Sequence, residues 1–163
     1  MIHVLPYANE HLPGVLDVIL PIQVAEFGIP ITLEAQPDLL DIPGFYRRGE
    51  GNFWVALSGQ EVVGTLGLLD IGNRQGALRK MFVKAPYRGA GHGVARLLLE
   101  GLRQWSAGRG MEAIFLGTTT KFLAAHRFYE KNGFQRIPVS NLPPAFPVLA
   151  VDSIFYRLDL EVS

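Results

Sequence analysis

The sequence predicts an α/β domain with a mixed, mostly antiparallel and twisted β-sheet, and three observations support this prediction. Short β-rich runs and helical patterns follow one another in the order β-α-α-β-β-β-α-β-α-β-β. The three central β-rich runs follow one another directly, which favours antiparallel pairing. A later run, "MEAIFLG", is continuously apolar, as expected for a strand buried on both faces. At 163 residues and 18.0 kDa, the chain is expected to form one domain, residues 1–163.

The first half of the chain begins with a strand and a helix. The strand is "IHVLP", and the helix is "NEHLPGVLDVILP", whose apolar residues have helical spacing until Pro21, where we expect it to stop. Residues 22–51 are rich in proline and glycine, which predicts irregular chain with a short helix around "DLLDIPGFYRR". Two β-rich runs then flank a hairpin signal at residues 58–61, and "GNRQGALRKMFV" adds a third antiparallel strand that ends before Pro86.

The second half has the stronger helical patterns. From Gly93 onward, apolar residues recur every three or four positions as far as Trp105, so one face of this helix is predicted to pack on the sheet. The strand "MEAIFLG" follows, and then the helix "KFLAAHRFYEKNGF", in which Asn132 and Gly133 predict a left-handed C-terminal cap. The strand "FQRIPV", a loop "SNLPPAFP" and a last strand near "DSIFYRLDL" complete the chain.

Composition excludes several classes of function. Lysine plus arginine and aspartate plus glutamate both number 15, so the chain lacks the basic surplus of a general nucleic-acid binder. It has no cysteine, which excludes disulfides, thiolate zinc sites and an acyl-cysteine intermediate, and its four histidines form no metal-binding motif. The start "MIHVLPYANE" does not resemble a signal peptide, and no stretch approaches the roughly 18 apolar residues of a membrane span. We therefore expect a cytoplasmic protein with no metal, nucleic-acid or membrane partner.

The stretch "KAPYRGAGHGVARLLLE" places three glycines and an arginine directly before a helix. The first backbone N–H groups of a helix have no partners within it and favour anions, and glycines allow a phosphate to approach them. Arg88 can add a charge-assisted hydrogen bond. A P-loop would need Lys-Ser or Lys-Thr after the last glycine, and a dinucleotide fingerprint a different glycine spacing. A flexible turn that only begins the helix is the remaining alternative.

These residues resemble the Arg/Gln-x-x-Gly-x-Gly/Ala loop of the GCN5-related N-acetyltransferase (GNAT) superfamily, with Arg88, Gly91 and Gly93 at its fixed positions. In the same register, "LRKMFVKAPYRGAGHG" looks like the family's fourth strand and loop, and "AAHRFYEKNGF" like its second signature helix. The resemblance extends from about residue 2 to residue 160. It implies a single-domain GNAT fold with about four helices and a sheet splayed between strands 4 and 5. It also implies that acetyl-CoA binds in that cleft and that its acetyl group passes directly to an amine.

The resemblance also implies which residues bind acetyl-CoA. The fourth strand would pair with the pantetheine arm, and the backbone N–H near Val83 would bind the developing oxyanion. The glycine loop would bind the pyrophosphate. The expected cofactor-binding residues are Met81, Phe82, Val83, Arg88, Gly89, Ala90, Gly91, His92, Gly93 and Val94.

Tyr129 occupies the position where the family often has a tyrosine that donates a proton to the departing thiolate. Free pKa values of about 10 for tyrosine and 8.5 for a thiol make full transfer unfavourable by roughly 2 kcal/mol, so we expect a hydrogen-bond donor. Its alternative role is aromatic packing beside Phe128. His126 lies on the same side of this helix, and it is our second candidate catalytic residue.

Two positions depart from the family pattern. Ala77 stands where many members have a glutamate on the fourth strand, so the general base stays open among Glu26, Glu34, Asp70 and His126. Phe122 stands where an asparagine commonly opens the second signature helix. The contact of that asparagine with pantetheine must therefore be absent, or come from another group such as the threonines at 118–120.

The acceptor is expected to be a small-molecule or peptide amine bound by residues 22–51. Aromatic residues there and nearby could form an apolar wall or ordinary core, namely Phe27, Phe45, Tyr46 and Trp54. Glu26, Glu34 and Asp38 could instead attract a cation. A small amine, an amino acid, an antibiotic and a protein lysine all remain open. Two other functions are a non-catalytic acyl-CoA sensor, which the missing glutamate motivates, and a nucleotide-phosphate binder. A homodimer through the last strands or the "NLPPAFP" loop is also possible.

Overall fold

A computed structural model describes residues 1–89 and 91–160. The described residues form one seven-stranded sheet in the order β1-β2-β3-β4-β5-β7-β6. The strands are β1 (Ile2–Pro6), β2 (Asn52–Ser58), β3 (Glu61–Gly72), β4 (Gln75–Val83), β5 (Ala113–Thr118), β6 (Gln135–Ile137) and β7 (Ile154–Asp159). All neighbouring strands pair antiparallel except β4 and β5, which are parallel. The predicted α/β class and mixed sheet are confirmed.

Five α-helices connect the strands in the described chain. They are α1 (Leu12–Pro21), α2 (Pro37–Leu40), α3 (Ile42–Tyr46), α4 (Val94–Gly108) and α5 (Leu123–Lys131). The first α-helix ends at Pro21, as predicted, but the chain then continues as a π-helical turn over Ile22–Glu26 that was not predicted. Proline cannot donate a backbone hydrogen bond, and its ring crowds the preceding turn. The wider π-helical turn, in which the Phe27 N–H donates to the Ile22 carbonyl at 3.1 Å, lets the chain continue.

Two tight hairpins align the three central strands. Gly59 and Gln60 connect β2 to β3, as the sequence predicts, and Gly59 has a positive φ of 61°. Asn73 and Arg74 connect β3 to β4 with φ values of 53° and 59°, the pattern of a two-residue turn that matches strand twist. These turns place β4 in the middle of the sheet, next to β5.

Helices cover both faces of the sheet. The α1 side buries Val15, Val18 and Ile19 against Phe53 and Val55 of β2. On the opposite face, α4 and α5 pack over a second cluster, which includes residues of five strands and is the larger of the two. Tyr46 and Trp54, considered above for an acceptor wall, are buried in these two clusters. No helix in the described part of the chain is long and apolar enough to cross a membrane.

Candidate active site

The strands β4 and β5 separate after three pairs of residues. Their parallel pairing covers Gln75 with Ala113 through Ala77 with Phe115, whereas β4 continues to Val83 and β5 to Thr118. The Lys84 N–H donates to the carbonyl of Val63 in β3 at 2.9 Å. Since neighbouring residues of an antiparallel pair alternate, the polar groups of Val83 point away from β3. The splay predicted between strands 4 and 5 is therefore confirmed, and it leaves backbone groups of β4 free for an added partner.

A β-bulge interrupts β4 at the start of this splayed segment. Lys80 has a φ of 54°, and the register with β3 shifts between the pairs Gly67–Arg79 and Thr65–Phe82. The buried hydroxyl of Thr65 donates to the Lys80 carbonyl at 2.7 Å. This bond satisfies a carbonyl that the bulge removes from the regular ladder.

The glycine loop ends at an uncapped helix N-terminus. Gly93 is the N-cap of α4, with a φ of 66°, and no side chain in the ranges 1–89 and 91–160 bonds to the first turn of the helix. Gly89 has a φ of 100°, so both glycines occupy backbone conformations that other residues rarely adopt. A Cβ added at Gly91 would meet no described atom within 4 Å. Ala90 lies outside the described residues.

Arg88 does not extend freely into solvent. Its Nη1 and Nη2 groups donate to the two carboxylate oxygens of Glu26, the second at 2.7 Å, and its Nε donates to the Val83 carbonyl at 2.8 Å. The hydrogen bonds from Arg88 lower the pKa of Glu26. The predicted pyrophosphate arginine and one of the four base candidates therefore form a single ion pair.

The remaining predicted cofactor residues lie around this loop. Val94, the first residue of α4, is buried in the larger of the two core clusters, and Met81 and Val83 pack against that cluster. Phe82 belongs to the opposite face, and the His92 ring packs edge-on against Tyr87 with centroids 5.6 Å apart. The loop and the second half of β4 therefore lie together, as a binding site for one extended ligand requires.

Tyr129 is buried among three other aromatic rings, those of Phe128, Phe134 and Tyr156. Burial raises the pKa of its hydroxyl well above the usual value. Its hydroxyl bonds to no other described residue, whereas the neighbouring Tyr156 hydroxyl donates to Glu130 at 2.6 Å. The Tyr129 hydroxyl is thus protonated at neutral pH and can donate a hydrogen bond. Its ring packs in the aromatic cluster.

His126 forms a hydrogen bond with Thr119, the residue that follows β5. Its Nε2 lies 2.8 Å from the Thr119 carbonyl oxygen. A carbonyl can only accept, so Nε2 carries the proton, and Nδ1 is the nitrogen of the neutral ring that can accept one. Of the other base candidates, Glu34 is exposed, and the Asp70 carboxylate accepts the backbone N–H groups of Glu50 and Gly72. His126 and Glu26 are the candidates near the cleft.

Three phenylalanines meet beside the splay. The Phe122 ring contacts Phe27 and Phe82 edge-on, with centroid separations of 4.6 and 6.3 Å. Lys121 also donates to the Phe27 carbonyl at 3.2 Å. Phe122, at the position where the resemblance implies an asparagine, therefore links α5 to the π-helical turn and to β4 through apolar contacts. Its side chain cannot make the polar contact of that asparagine.

A buried charged cluster on the α2–α3 side was not predicted from the sequence. Lys80 pairs with Asp38 at 3.5 Å, with both side chains less than one-tenth exposed, and Tyr46 donates to the same carboxylate oxygen at 2.6 Å. Burial lowers the pKa of Lys80, although Asp38 opposes this shift. Asp38, considered above as an attractor of a cation, is thus occupied by a cation of the protein itself.

Arg79 and Asp152 extend this charged cluster towards β5. The Arg79 guanidinium lies 5.6 Å from the centroid of the Phe45 ring. Burial raises the pKa of Asp152, and the nearby charges of Arg79 and Lys80 partly offset the shift. A Cβ added at Gly117 would lie 2.6 Å from Asp152 Oδ2, which places this carboxylate against the splayed end of β5. No group of three or more acidic or histidine side chains in the described ranges could hold a metal ion.

Comparison with known proteins identifies clear relatives. The sequence pattern of the Acetyltransferase (GNAT) family matches residues 16–134. A probable N-acetyltransferase family 8 member 5 from Mus musculus is 36% identical over 106 residues, which cover 62% of this chain and 46% of that protein. An N-acetylaspartate synthetase from Xenopus tropicalis is 32% identical over 127 residues, 74% of this chain and 45% of that protein. This chain spans slightly less than half the length of these relatives.

Solved structures share the fold over nearly the whole chain. A GNAT-family acetyltransferase from Staphylococcus aureus Mu50 superimposes with a TM-score of 0.93 and 37% identity, covering 99% of this chain and 100% of that one. The N-acetylglutamate synthase from Neisseria gonorrhoeae, solved with coenzyme A and N-acetylglutamate, has a TM-score of 0.74 at 13% identity. The superposition covers 99% of this chain and 35% of the synthase, and at this identity the likeness concerns the fold alone.

Proposed function

Because this chain belongs to the acetyltransferase (GNAT) family, we propose that it transfers an acetyl group from acetyl-CoA directly to the amine of an acceptor. One observation supports this most strongly: the uncapped start of α4 and the open space at Gly91 lie in sequence with the splayed segment of β4. A pyrophosphate and an extended pantetheine arm need these two sites side by side.

In the proposed complex, the amides at the start of α4 and the Arg88 guanidinium bind the pyrophosphate. The second half of β4 pairs with the pantetheine arm, at Met81 and Val83. The Val83 N–H binds the thioester oxygen as negative charge develops on it. Of the other predicted binding residues, Phe82 orients the segment through Phe122, and Gly89, Gly93, His92 and Val94 shape the loop.

The chemical step joins two substrates without a covalent enzyme intermediate. The acceptor nitrogen forms a bond to the acetyl carbon, the bond from that carbon to sulfur breaks, and coenzyme A leaves as a thiolate. Tyr129 donates a hydrogen bond to the sulfur, because its raised pKa keeps its proton in place. The amine loses one proton, which His126 Nδ1 or a water accepts. With no cysteine in the chain, direct transfer is the simplest route.

The donor site is tested by a pair of glycine variants. Gly91→Ala adds a methyl group where the free protein has room. A loss of coenzyme A affinity would therefore show that the methyl group occupies space that the bound coenzyme A needs. Gly108→Ala, at the other end of α4, also meets no described atom within 4 Å and is the matched control. We expect Gly91→Ala to weaken binding about tenfold or more, near 1.4 kcal/mol, in calorimetric titration, and the control to have no effect. Equal affinities for both variants would contradict the proposed site.

Catalysis is tested by release of coenzyme A from acetyl-CoA with a panel of amines. The name of the N-acetylaspartate synthetase relative favours small-molecule acceptors, so amino acids and simple amines are tested before peptides. Turnover with any of them supports the enzyme, whereas tight coenzyme A binding without release across the panel favours an acyl-CoA sensor. Tighter binding of ATP or NAD than of coenzyme A would favour a nucleotide-phosphate binder. We treat residues 1–163 as one catalytic domain, in line with the full-length match to the S. aureus structure.

A further inference from the structure

The bulge in β4 turns two consecutive basic side chains towards the same face of the sheet. In a regular strand Arg79 and Lys80 would point to opposite faces. Here Lys80 has a left-handed backbone and pairs with Asp38 of α2, while Arg79 lies beside Phe45 of α3. Both cations therefore face the α2–α3 side, opposite the side where α4 begins.

The charges of these two residues are not balanced in the same way. Asp38 and Tyr46 satisfy the Lys80 ammonium group in a buried network. The Arg79 guanidinium forms no hydrogen bond and no ion pair within 4.0 Å with any residue in the ranges 1–89 and 91–160, and the side chain is half-buried. A guanidinium is charged at every physiological pH, so partial burial without a directly bonded anion has a free-energy cost. Arg79 thus keeps strong donor groups that no described residue accepts from, although its charge acts on Asp152.

Asp152 is a candidate partner for Arg79, whose charge acts on it, but the Asp152 carboxylate is already engaged. Its Oδ2 accepts the Leu149 N–H at 2.9 Å and lies against Gly117 of β5. The two residues thus stand on opposite walls of the splay, Arg79 on β4 and Asp152 beside β5. Arg79 lies two residues beyond Ala77, the last β4 residue that pairs with β5, so it marks the point where the cleft opens.

From this geometry we propose that the acceptor is an amine that also bears a carboxylate, as an amino acid does, and that Arg79 binds this carboxylate with Lys80 behind it. The proposal rests on the proposed function, because it assigns a substrate class to that cleft. A guanidinium offers paired N–H donors that match a carboxylate, and an acceptor carboxylate would supply the directly bonded anion that Arg79 lacks among the described residues. Asp38 cannot take this role, since Lys80 and Tyr46 already occupy it.

The test compares acceptors that differ only in the carboxylate. Each amino acid in a panel is assayed with its amide and its decarboxylated amine, and we expect kcat/KM for the carboxylate form to be about 10-fold to 100-fold higher. Arg79→Met should abolish this preference and leave the amides unchanged. Arg74→Met, an exposed arginine in the β3–β4 turn, is the control that should retain it. Equal rates for the acids and amides in the wild-type protein would overturn the proposal.

Binding measurements distinguish failure of the proposed acetyltransferase function from failure of the proposed carboxylate site. Coenzyme A affinity, measured by calorimetry, should be the same in wild type and Arg79→Met, which also reports a folded protein. If no amine is acetylated, binding of N-acetyl amino acids to the protein–coenzyme A complex is measured by the shift in Tm. Loss of that shift in Arg79→Met alone supports the carboxylate site, and shifts equal to wild type, or none in wild type, overturn it.

Discussion

Arg88 and Glu26 form a two-bond ion pair that links the glycine loop to the π-helical turn after α1. The third donor of the same guanidinium bonds to the Val83 carbonyl at 2.8 Å. A pyrophosphate bound as proposed must therefore displace the Glu26 carboxylate or share Arg88 with it. These bonds fix the position of the Arg88 side chain in the free protein. The Glu26 carboxylate that helps to fix it would also compete with a bound phosphate for the same guanidinium.

Glu26→Gln should tighten the binding of coenzyme A. Both side chains are about one-third exposed, 36% for Arg88 and 35% for Glu26, and an exposed ion pair stabilises by about 0.2–1 kcal/mol. Removing the competing charge should thus lower Kd by about fivefold at most, measured by calorimetry at constant ionic strength. Glu34→Gln, at an exposed glutamate in the same region, is the control for net charge. Weaker binding by Glu26→Gln would indicate that Glu26 only orients Arg88.

Local sequence patterns predicted much of the fold, including the glycine loop before α4. The strands, α4, the left-handed cap at Gly133 and the glycine loop depend on residue periodicity and on glycine backbone freedom, which neighbouring letters reveal. The π-helical turn after Pro21 was missed because proline usually ends a helix, whereas here the chain widens its turn instead.

The charged side of the cleft depends on contacts between distant residues. Nothing in "LRKMFV" indicates that Lys80 adopts a left-handed backbone, since lysine has no preference for it. The Thr65 hydroxyl satisfies the bulge from another strand, and Asp38 pairs with Lys80 from a helix far earlier in the chain. Glu26 likewise lies 62 residues from Arg88. A single sequence does not reveal such pairs.

Tyr129→Phe should lower kcat about tenfold or more without loss of stability. The hydroxyl bonds to no other described residue, so its removal should leave the free energy of unfolding unchanged or slightly higher. The raised pKa also means that loss of activity up to about pH 10 should not reflect ionisation of Tyr129. Single-turnover rates and unfolding curves would measure both effects. A fall in kcat of less than tenfold, in a normally folded variant, would remove the catalytic role.

Tyr156→Phe provides the contrast within the same aromatic cluster. Its hydroxyl donates to Glu130 at 2.6 Å, and burial together with that carboxylate raises the pKa of Tyr156 to about 12. Loss of this bond should lower the free energy of unfolding by about 1–3 kcal/mol and leave kcat nearly unchanged. An equal loss of kcat in both variants would point to general disturbance of the cluster.

Thr65→Val should destabilise the protein through the bulge. Thr65 is fully buried, and valine has nearly the same shape but cannot donate to the Lys80 carbonyl. The free energy of unfolding should fall by about 1–3 kcal/mol in urea titration, because a carbonyl loses its partner. Thr65→Ser keeps the hydroxyl and should restore that bond, at the cost of one methyl group. A valine variant as stable as wild type would mean that the bulge does not depend on this hydrogen bond.

Asp152→Asn should change how stability depends on pH. Burial raises the pKa of Asp152 in the folded protein above its unfolded value of about 3.9, although Arg79 and Lys80 oppose the shift. The folded state thus binds this proton more tightly, and the stability from the group is fully present at low pH and is lost as pH rises through the folded pKa. Asparagine does not ionise, and its side-chain oxygen can still accept the Leu149 N–H. The Tm of the variant relative to wild type should therefore be higher at pH 7 than at pH 3.5.

The control is Asp159→Asn, at an exposed aspartate of β7, which should lack this increase in relative Tm. A relative Tm that falls between pH 3.5 and pH 7 would mean that the ionised carboxylate stabilises the fold through Arg79 and Lys80, in which case Arg79 already has its anion.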